Sequence, residues 1–391
     1  MSKMLALLSG KGGSGKTTLA LSMASMLSNC GIKVLLIDCD LSTNGATYFY
    51  ENKLSEYDGN TISFYNFLFD MDNGSKQLIN INKYMDFMPS IVQITKKTVV
   101  SYLYKEADCK IIYRMQYLYA DKYDVIIFDC QAGYTDVLKL VLPMVDINLV
   151  IMEADAISSA AIRSLYLKIG DVLNEKKIFQ IFNKATDEEY QIYSKISGGT
   201  VFTNIETVMF DWKIRKAFSV AEIPDMENTS AGYGMQIYNI CKILFKEENI
   251  QERLNKFGIV IELNKNAEEE EQLEAKISDL QKEFNTFNNK MNKIIFTTML
   301  GVISGLLCYL FYQMIVQKVL SYDGRNSLVF NIMLVTLVTV LSFAFFIAMD
   351  SSKERRSRYK QADIYRKQLE AVIENKKELQ NEYEVFNIDK M

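Results

Sequence analysis

Histidine is absent from all 391 residues. That absence removes histidine general bases, Ser-His-Asp triads and imidazole metal sites together. Cysteine is sparse: the six, at 30, 39, 109, 130, 241 and 308, form no C-x-x-C pair. They read as reduced or membrane-buried thiols, not as a disulfide framework or a zinc site. Three prolines (89, 143 and 224) and no internal repeat leave little that reads as low-complexity sequence. An excess of positive charge is missing as well. The formal net charge of −4 argues against a whole-chain nucleic-acid binder, since affinity for DNA rests on phosphate neutralisation. DNA is therefore not an indicated partner, although a local basic patch stays open. No signal peptide precedes the first apolar run, so the N-terminal domain is expected in the cytosol. The heavy use of Asn, Lys, Ile and Tyr points to an AT-rich, bacterial genome. Any hydrolytic chemistry is left to carboxylates, lysines and a metal.

What the chain does have begins almost at its start. Residues 11 to 18 read KGGSGKTT, directly after the apolar run Met4-Leu5-Ala6-Leu7-Leu8 and before an amphipathic stretch from Leu19 to Leu27. A buried strand entering a glycine turn that opens a helix is the setting in which G-x-x-x-x-G-K-T, here Gly10 to Thr17, makes a phosphate cradle. Backbone N–H groups of Gly12, Gly13, Ser14, Gly15, Lys16, Thr17 and Thr18 converge on phosphate oxygens, and the helix N-terminus adds partial positive charge. Lys16 is placed to reach the β- and γ-phosphates, and the Thr17 hydroxyl to ligate Mg²⁺. The implied cofactors are ATP and Mg²⁺. Two more apolar runs end in acid: Lys33 to Ile37 leads into Asp38-Cys39-Asp40, and Val125 to Phe128 into Asp129. Carboxylates at the carboxyl ends of parallel strands lie where open α/β sheets bind ligands.

KGGSGKTT resembles the deviant Walker A sequence of the ParA/MinD family of P-loop ATPases. The resemblance covers residues 1 to 246 and implies an α/β P-loop NTPase fold, with a mostly parallel sheet and helices on both faces. It implies a nucleotide-dependent homodimer in which Lys11 crosses to the partner's nucleotide and supplies charge in trans. DCDLSTNGAT (38–47) resembles the family's first switch, so Asp40 would direct the attacking water, Asp38 would help hold the Mg²⁺ shell, and Asn44 would support the switch. Asp129 matches the Walker B aspartate, acting on Mg²⁺ through water. DCQAG (129–133) looks like the second switch, with Gly133 as a hinge whose N–H meets the γ-phosphate; Gln131 stands where the family has proline. Further along come a strand ending at Phe87-Met88-Pro89-Ser90 and another over Ile147 to Met152. A helix with Ser158, Ser159 and Arg163 follows. The strand Ile178 to Phe182 then leads to Asn183, which the resemblance makes a base contact, and Phe210 to Pro224 is similar to the family's late domain.

Beyond residue 246 the composition changes. Neither Ile294 to Val316 nor Leu328 to Met349 contains a charged residue. Each is long enough to cross a hydrocarbon core of about 30 Å at about 1.5 Å per residue, and no Asp, Lys or Arg opposes insertion. The connector, 317–327, makes the pair a helical hairpin. Lysines and arginines crowd the flanks (Lys276, Lys282, Lys290, Lys293; Lys353, Arg355, Arg356, Arg358, Lys360), whereas the tip has only Lys318 and Arg325. Positive-inside bias places both termini in the cytoplasm. Heptad spacing joins Leu273, Ile277, Leu280, Phe284, Phe287, Met291 and Ile294, and again Tyr365, Leu369, Val372, Lys376, Leu379, Tyr383 and Phe386. Such seams specify coiled coils, here an antiparallel intramolecular stalk on the order of 40 Å long, with pairing between subunits or with a partner's helix as the alternative.

The expected division is an ATPase domain (1–246), a linker with the first stalk helix (247–293), two transmembrane helices (294–316 and 328–349) around an extracytoplasmic connector (317–327), and a basic flank with the second stalk helix (350–391). The expected protein is an ATPase switch in the bacterial inner membrane. Its partners would be a second copy of itself, the bilayer and a protein of a membrane complex. Two other readings stay open: a bacterial P-loop tyrosine kinase-like enzyme, and a nucleotide-binding scaffold without turnover. The kinases carry their hairpin ahead of the catalytic domain and cluster tyrosines at the C-terminus, whereas here the tail tyrosines are isolated.

Overall fold

Strands that run apolar without alternation belong in a parallel sheet covered on both faces. That is how β1 (Lys3–Leu8), β2 (Val34–Asp38), β5 (Val125–Asp129) and β6 (Ile147–Met152) are used: nearly every residue in them is buried. The computed structural model describes residues 2–57, 60–68, 76–91, 110–173, 177–186, 188–189, 191–192, 202–224, 226, 232–319, 353 and 355–384. With β3 (Ile79–Asn82), β4 (Met85–Met88), β7 (Lys177–Ala185) and β8 (Thr203–Met209), the strands form one sheet in the order β3-β4-β2-β5-β1-β6-β7-β8. β3 runs antiparallel to β4; the other neighbours are parallel. Register brings Asp38 beside Asp129, and Asp129 beside Leu7. The two acid-terminated strands thus end together next to the strand that feeds the glycine loop.

Helices cover both faces. On one lie α1 (Lys16–Asn29) and, after the short α2 (Gly45–Phe49) and α3 (Glu51–Ser55), a core of Leu5, Leu7, Leu36 and Ile127. The opposite face packs Ala6, Leu8, Ile37 and Phe128 against α4 (Phe64–Leu68), α5 (Lys110–Tyr119), α6 (Asp136–Val141) and α7 (Ala156–Leu173). Two later helices, α8 (Trp212–Ser219) and α9 (Tyr233–Leu244), return to the first face, where a buried 2.8 Å hydrogen bond joins Ser22 Oγ of α1 and Tyr233 Oη of α9. The expected strands are all present; β3 and β8 were not anticipated.

The chain folds as two compact units, Met1–Lys265 with Tyr383–Met391, and Asn266–Glu382. The long helix α10 (Glu248–Val319) begins in the first. Its opening turns bury Ile250, Leu254, Phe257 and Ile261 in the same core as Tyr238 and Phe245. Gly258 permits this close approach, because a Cβ there would strike the Tyr238 ring at 2.6 Å. The stretch expected to be a linker is therefore part of the domain's core.

In the second unit α10 runs on, and residues 355–384 form another helix. Glu270 pairs with Lys376 at 2.6 Å and Glu283 with Arg358 at 3.1 Å. Lys276 lies over the Tyr365 ring, and the Arg358 guanidinium over that of Phe287. These contacts set the two helices antiparallel. Leu273, Ile277, Leu280, Phe284, Phe287 and Met291 are among the buried or half-buried positions of one, and Tyr365, Leu369, Val372, Lys376 and Leu379 among those of the other. The connector beyond residue 319, the run 328–349 and Phe386 lie outside the described residues.

Candidate functional site

The glycine turn leaves β1 at Ser9 and enters α1 at Lys16. Gly15 caps that helix with φ of 92° and Gly13 has φ of 81°, left-handed values that a side chain would strain. At Gly15 a Cβ would also collide with the Asn183 amide, whereas Gly12 and Gly13 face open space. The result is a concave loop with free backbone above it and a wall beside it. Lys16 is buried and donates from Nζ to Ser9 Oγ at 2.8 Å. Burial lowers its pKa, and the nearby Asp129, Cys130 and Asp40 partly offset that effect. Ser14 Oγ is buried without a partner.

Three carboxylates face this loop, and their environments differ. Asp129 is 1% exposed, and neither of its oxygens receives a full hydrogen bond. Burial drives its pKa up to about 7 and the adjacent Asp38 charge adds to this; the Thr17 hydroxyl and the Lys16 charge act the other way. Asp38 is equally buried but well supplied. Its Oδ1 accepts the Asp40 amide at 3.0 Å, and its Oδ2 accepts both the amide (2.8 Å) and the hydroxyl (2.7 Å) of Thr47. Burial still raises it to about 6. Asp40 is half-buried and closes its own turn: Oδ1 accepts from Ser42 N, Ser42 Oγ and Thr43 N, and Oδ2 from Thr43 Oγ1 at 2.5 Å. Burial pushes this carboxyl up, but the Thr43 and Ser42 bonds outweigh it and hold the group below the usual range.

Lys11 does not project freely. Its Nζ lies 2.7 Å from Glu153 and 3.0 Å from Asp155, just past the end of β6, and these bonds raise its pKa. Glu153 also holds Lys184 at 3.2 Å, and Lys184 donates to the Gly13 carbonyl. Asn183, the residue expected at the base, donates to the Ser14 carbonyl at 2.7 Å and so fastens the loop. Beside it opens a cavity of about 360 Å³, lined by Thr18, Asn183, Phe210, Ile214, Arg215 and Phe218 among others. Gly133, the expected hinge, has φ of 78° and donates its N–H to Ser9 O at 2.8 Å, which joins the expected second switch to the glycine loop. Asn44, with φ of 50°, accepts from Ser90 Oγ at 2.7 Å.

The fold thus brings every residue expected at the site to one end of the sheet. Whether the implied groups fit can be judged from the unpaired atoms. Asp129 offers two buried oxygens without donors, next to the Thr17 hydroxyl: a hard-oxygen set suited to Mg²⁺. The open glycine turn, Lys16 and the unpartnered Ser14 hydroxyl suit a triphosphate. Among the described residues no cluster of three or more His, Cys, Asp or Glu side chains could hold a metal alone. Asp38, spent on Thr47 and Asp40, is the weakest of the three metal candidates. Ser9, Thr47, Ser90, Glu153, Asp155 and Lys184 were not anticipated. They are ordinary polar residues, up to 171 positions from the groups they touch, and no local pattern gave them a role at the site.

Residues 2–181 match the family model described as an AAA domain. No curated protein matches the chain. The fold is similar to that of a plasmid partition protein from Borrelia burgdorferi B31 bound to AMPPNP, at 20% identity and a TM-score of 0.50, over 62% of this chain and 98% of that one. A second similar structure is the septum site-determining protein MinD with Mg-ADP from Pyrococcus horikoshii OT3, at 18% identity and a TM-score of 0.49, over 64% and 99%. The likeness to the partition protein is one of fold.

Proposed function

We infer that this chain, whose N-terminal part is a P-loop domain of the ParA/MinD family, is a membrane-anchored ATPase switch. It binds ATP, closes as a homodimer, and recruits, positions or assembles a partner membrane complex until hydrolysis to ADP and phosphate releases it. Asp129 carries the reading. A buried carboxyl without donors costs stability, and its place beside Lys16 and Thr17 at the glycine loop gives it a purpose. Thr17 and Asp129 would hold Mg²⁺, which would supply charge compensation for the phosphates. Lys16 and the loop amides bind the triphosphate, and the turn that pins Asp40 keeps a base-form carboxylate ready to orient water. Lys11 leaves Glu153 and Asp155 to reach the partner's nucleotide. Differential affinity of the closed dimer for its client turns nucleotide state into output.

Membrane anchoring is supported by the surface of α10 past residue 293. Phe296, Leu307 and Phe311 are 68%, 61% and 64% exposed, in a run that holds no charge through Val316. Seven residues separate Phe287 from Ile294, where this run starts. Nine separate Met349, where the second uncharged run ends, from Arg358, the neighbour of Phe287. Counted along the sequence, these spacings are compatible with a two-span hairpin on a coiled-coil stalk. Both termini then lie on the cytoplasmic side of the inner membrane. Tyr365 and Tyr383 are packed under Lys276 and Lys256, which disfavours a tyrosine kinase tail.

Size-exclusion chromatography of the detergent-solubilised protein, with single-turnover phosphate release, tests this. ATP shifts the wild type to a dimer, and Lys11→Ala or Lys16→Ala abolishes the shift. One elution position under all conditions overturns the dimer. Nucleotide binding without phosphate release leaves a scaffold, and phosphotyrosine after incubation with ATP identifies a kinase.

A further inference from the structure

We propose that Ser90 and Thr47 are positioning residues of the nucleotide site, holding Asn44 and Asp38 in place through a buried hydroxyl bridge. The inference rests on the ATPase reading above. Ser90 stands just past β4, fully buried. Its Oγ donates to Asn44 Oδ1 at 2.7 Å, its amide donates to Thr47 Oγ1 at 2.9 Å, and the two hydroxyl oxygens are 2.9 Å apart. Thr47, in α2, donates from its amide and hydroxyl to Asp38 Oδ2 at 2.8 and 2.7 Å. Asp38 Oδ1 accepts the amide of Asp40. A single run of hydrogen bonds therefore links the ends of β4 and β2 and reaches the residue assigned to the water.

The bridge also shapes the loop it crosses. Asn44 has left-handed backbone, which a short polar side chain tolerates when it is anchored. Ser90 is the anchor. The next residue, Gly45, passes so close to the glycine-loop helix that a Cβ would lie 3.3 Å from Thr17 Oγ1. Releasing Asn44 would loosen the wall against the Thr17 hydroxyl, a group placed at the metal. If Ser90 and Thr47 only filled space, alanine and valine would serve. Those replacements instead leave Asn44 Oδ1 without its Ser90 donor and Asp38 short of a hydroxyl, inside a region closed to water. Neither side chain faces the loop itself, so both act through Asn44 and Asp38.

The test uses the full chain in detergent, mant-ATP with Mg²⁺ for affinity, and single-turnover phosphate release for chemistry. Ser90→Ala and Thr47→Val lower the release rate by on the order of ten- to a hundredfold, the scale of a misplaced reacting group. They change mant-ATP affinity less than about threefold, and Thr47→Ser restores most of the rate. Adding Ser90→Ala to Asn44→Ala costs nothing further, because the first acts through the second. Wild-type release rates in Ser90→Ala and Thr47→Val overturn the proposal. So does a parallel loss of binding and rate, which would make the bridge a folding element, and so does full additivity with Asn44→Ala. A wild type that binds no mant-ATP instead overturns the ATPase reading, and this inference with it.

Discussion

Replacing Asp129 by asparagine should stabilise the nucleotide-free protein while destroying its function. Asp129 is completely buried, no donor satisfies its oxygens, and its pKa rises from 3.8 to about 7. A carboxyl whose folded value lies above its unfolded value favours folding below about pH 4, and that contribution is lost as the pH rises through 7. The difference amounts to on the order of 4 kcal/mol at pH 8. Asparagine removes the buried charge but also the attraction that Lys16 gains from it, so the net stabilisation is nearer ~2 kcal/mol, or about 4–8 °C in Tm for a domain of this size. The assay is thermal unfolding of detergent-solubilised protein in EDTA, from pH 5 to pH 8.5. Asp129→Asn should melt above wild type at pH 8, with a margin that shrinks towards pH 5. Adding Mg·ATP should reverse the order, since ligand binding stabilises only the protein that binds it. A variant that melts below wild type at pH 8 in EDTA, or a margin independent of pH, would refute the reasoning.

Glu153→Gln removes a carboxylate that holds both Lys11 and Lys184. Because these pairs are partly exposed and each contributes at most about 1 kcal/mol, ATP-dependent dimers should form at a severalfold lower protein concentration, measured by analytical ultracentrifugation. Thr43→Val takes a hydroxyl donor from Asp40, whose low pKa depends on it. The carboxylate should then protonate at higher pH, and the acid limb of the pH profile for phosphate release should move upward. Gln180 is fully buried in β7 with neither amide atom paired. Gln180→Met, nearly isosteric, should raise stability by about 1–3 kcal/mol, visible as a higher denaturation midpoint with unchanged nucleotide affinity.

The sheet was legible because its strands advertise themselves. Continuous apolar runs that end in Asp, such as Val125 to Asp129, have few uses other than buried parallel strands with a ligand at the carboxyl end. β3 was not legible: Ile79–Asn82 alternates buried and exposed positions in a four-residue edge strand, too little signal to separate from a loop. The opening of α10 went astray for a different reason. Ile250, Leu254, Phe257 and Ile261 follow the same four-three spacing as the seam that starts at Leu273. Periodicity reports that a helix has a buried face, not what buries it. In the first case the partner is the domain core and in the second it is another helix.

The same limit explains what was and was not readable at the site. A phosphate cradle is local chemistry: backbone amides, one lysine and one hydroxyl within eight residues, all fixed by a single turn. The restraints on it are not local. Lys11 is held from Glu153 and Asp155, Ser14 from Asn183, Gly13 from Lys184 and Asn44 from Ser90. Each of those residues lies at or just past the carboxyl end of β4, β6 or β7. Only the strand order, which places β6 and β7 on one side of β1 and β4 on the other, brings them round the loop. The fold therefore does more than present a nucleotide site. It supplies each part of that site with a partner in the single chain, and on the ATPase reading a nucleotide would displace some of these partners and keep others. The lysine and the hinge have partners to exchange, namely Glu153 with Asp155 for Lys11, and the Ser9 carbonyl for Gly133. Asn44 and Asp38 are tied by bonds buried too deeply to exchange with solvent. A switch needs both kinds of contact, and the division between them follows burial.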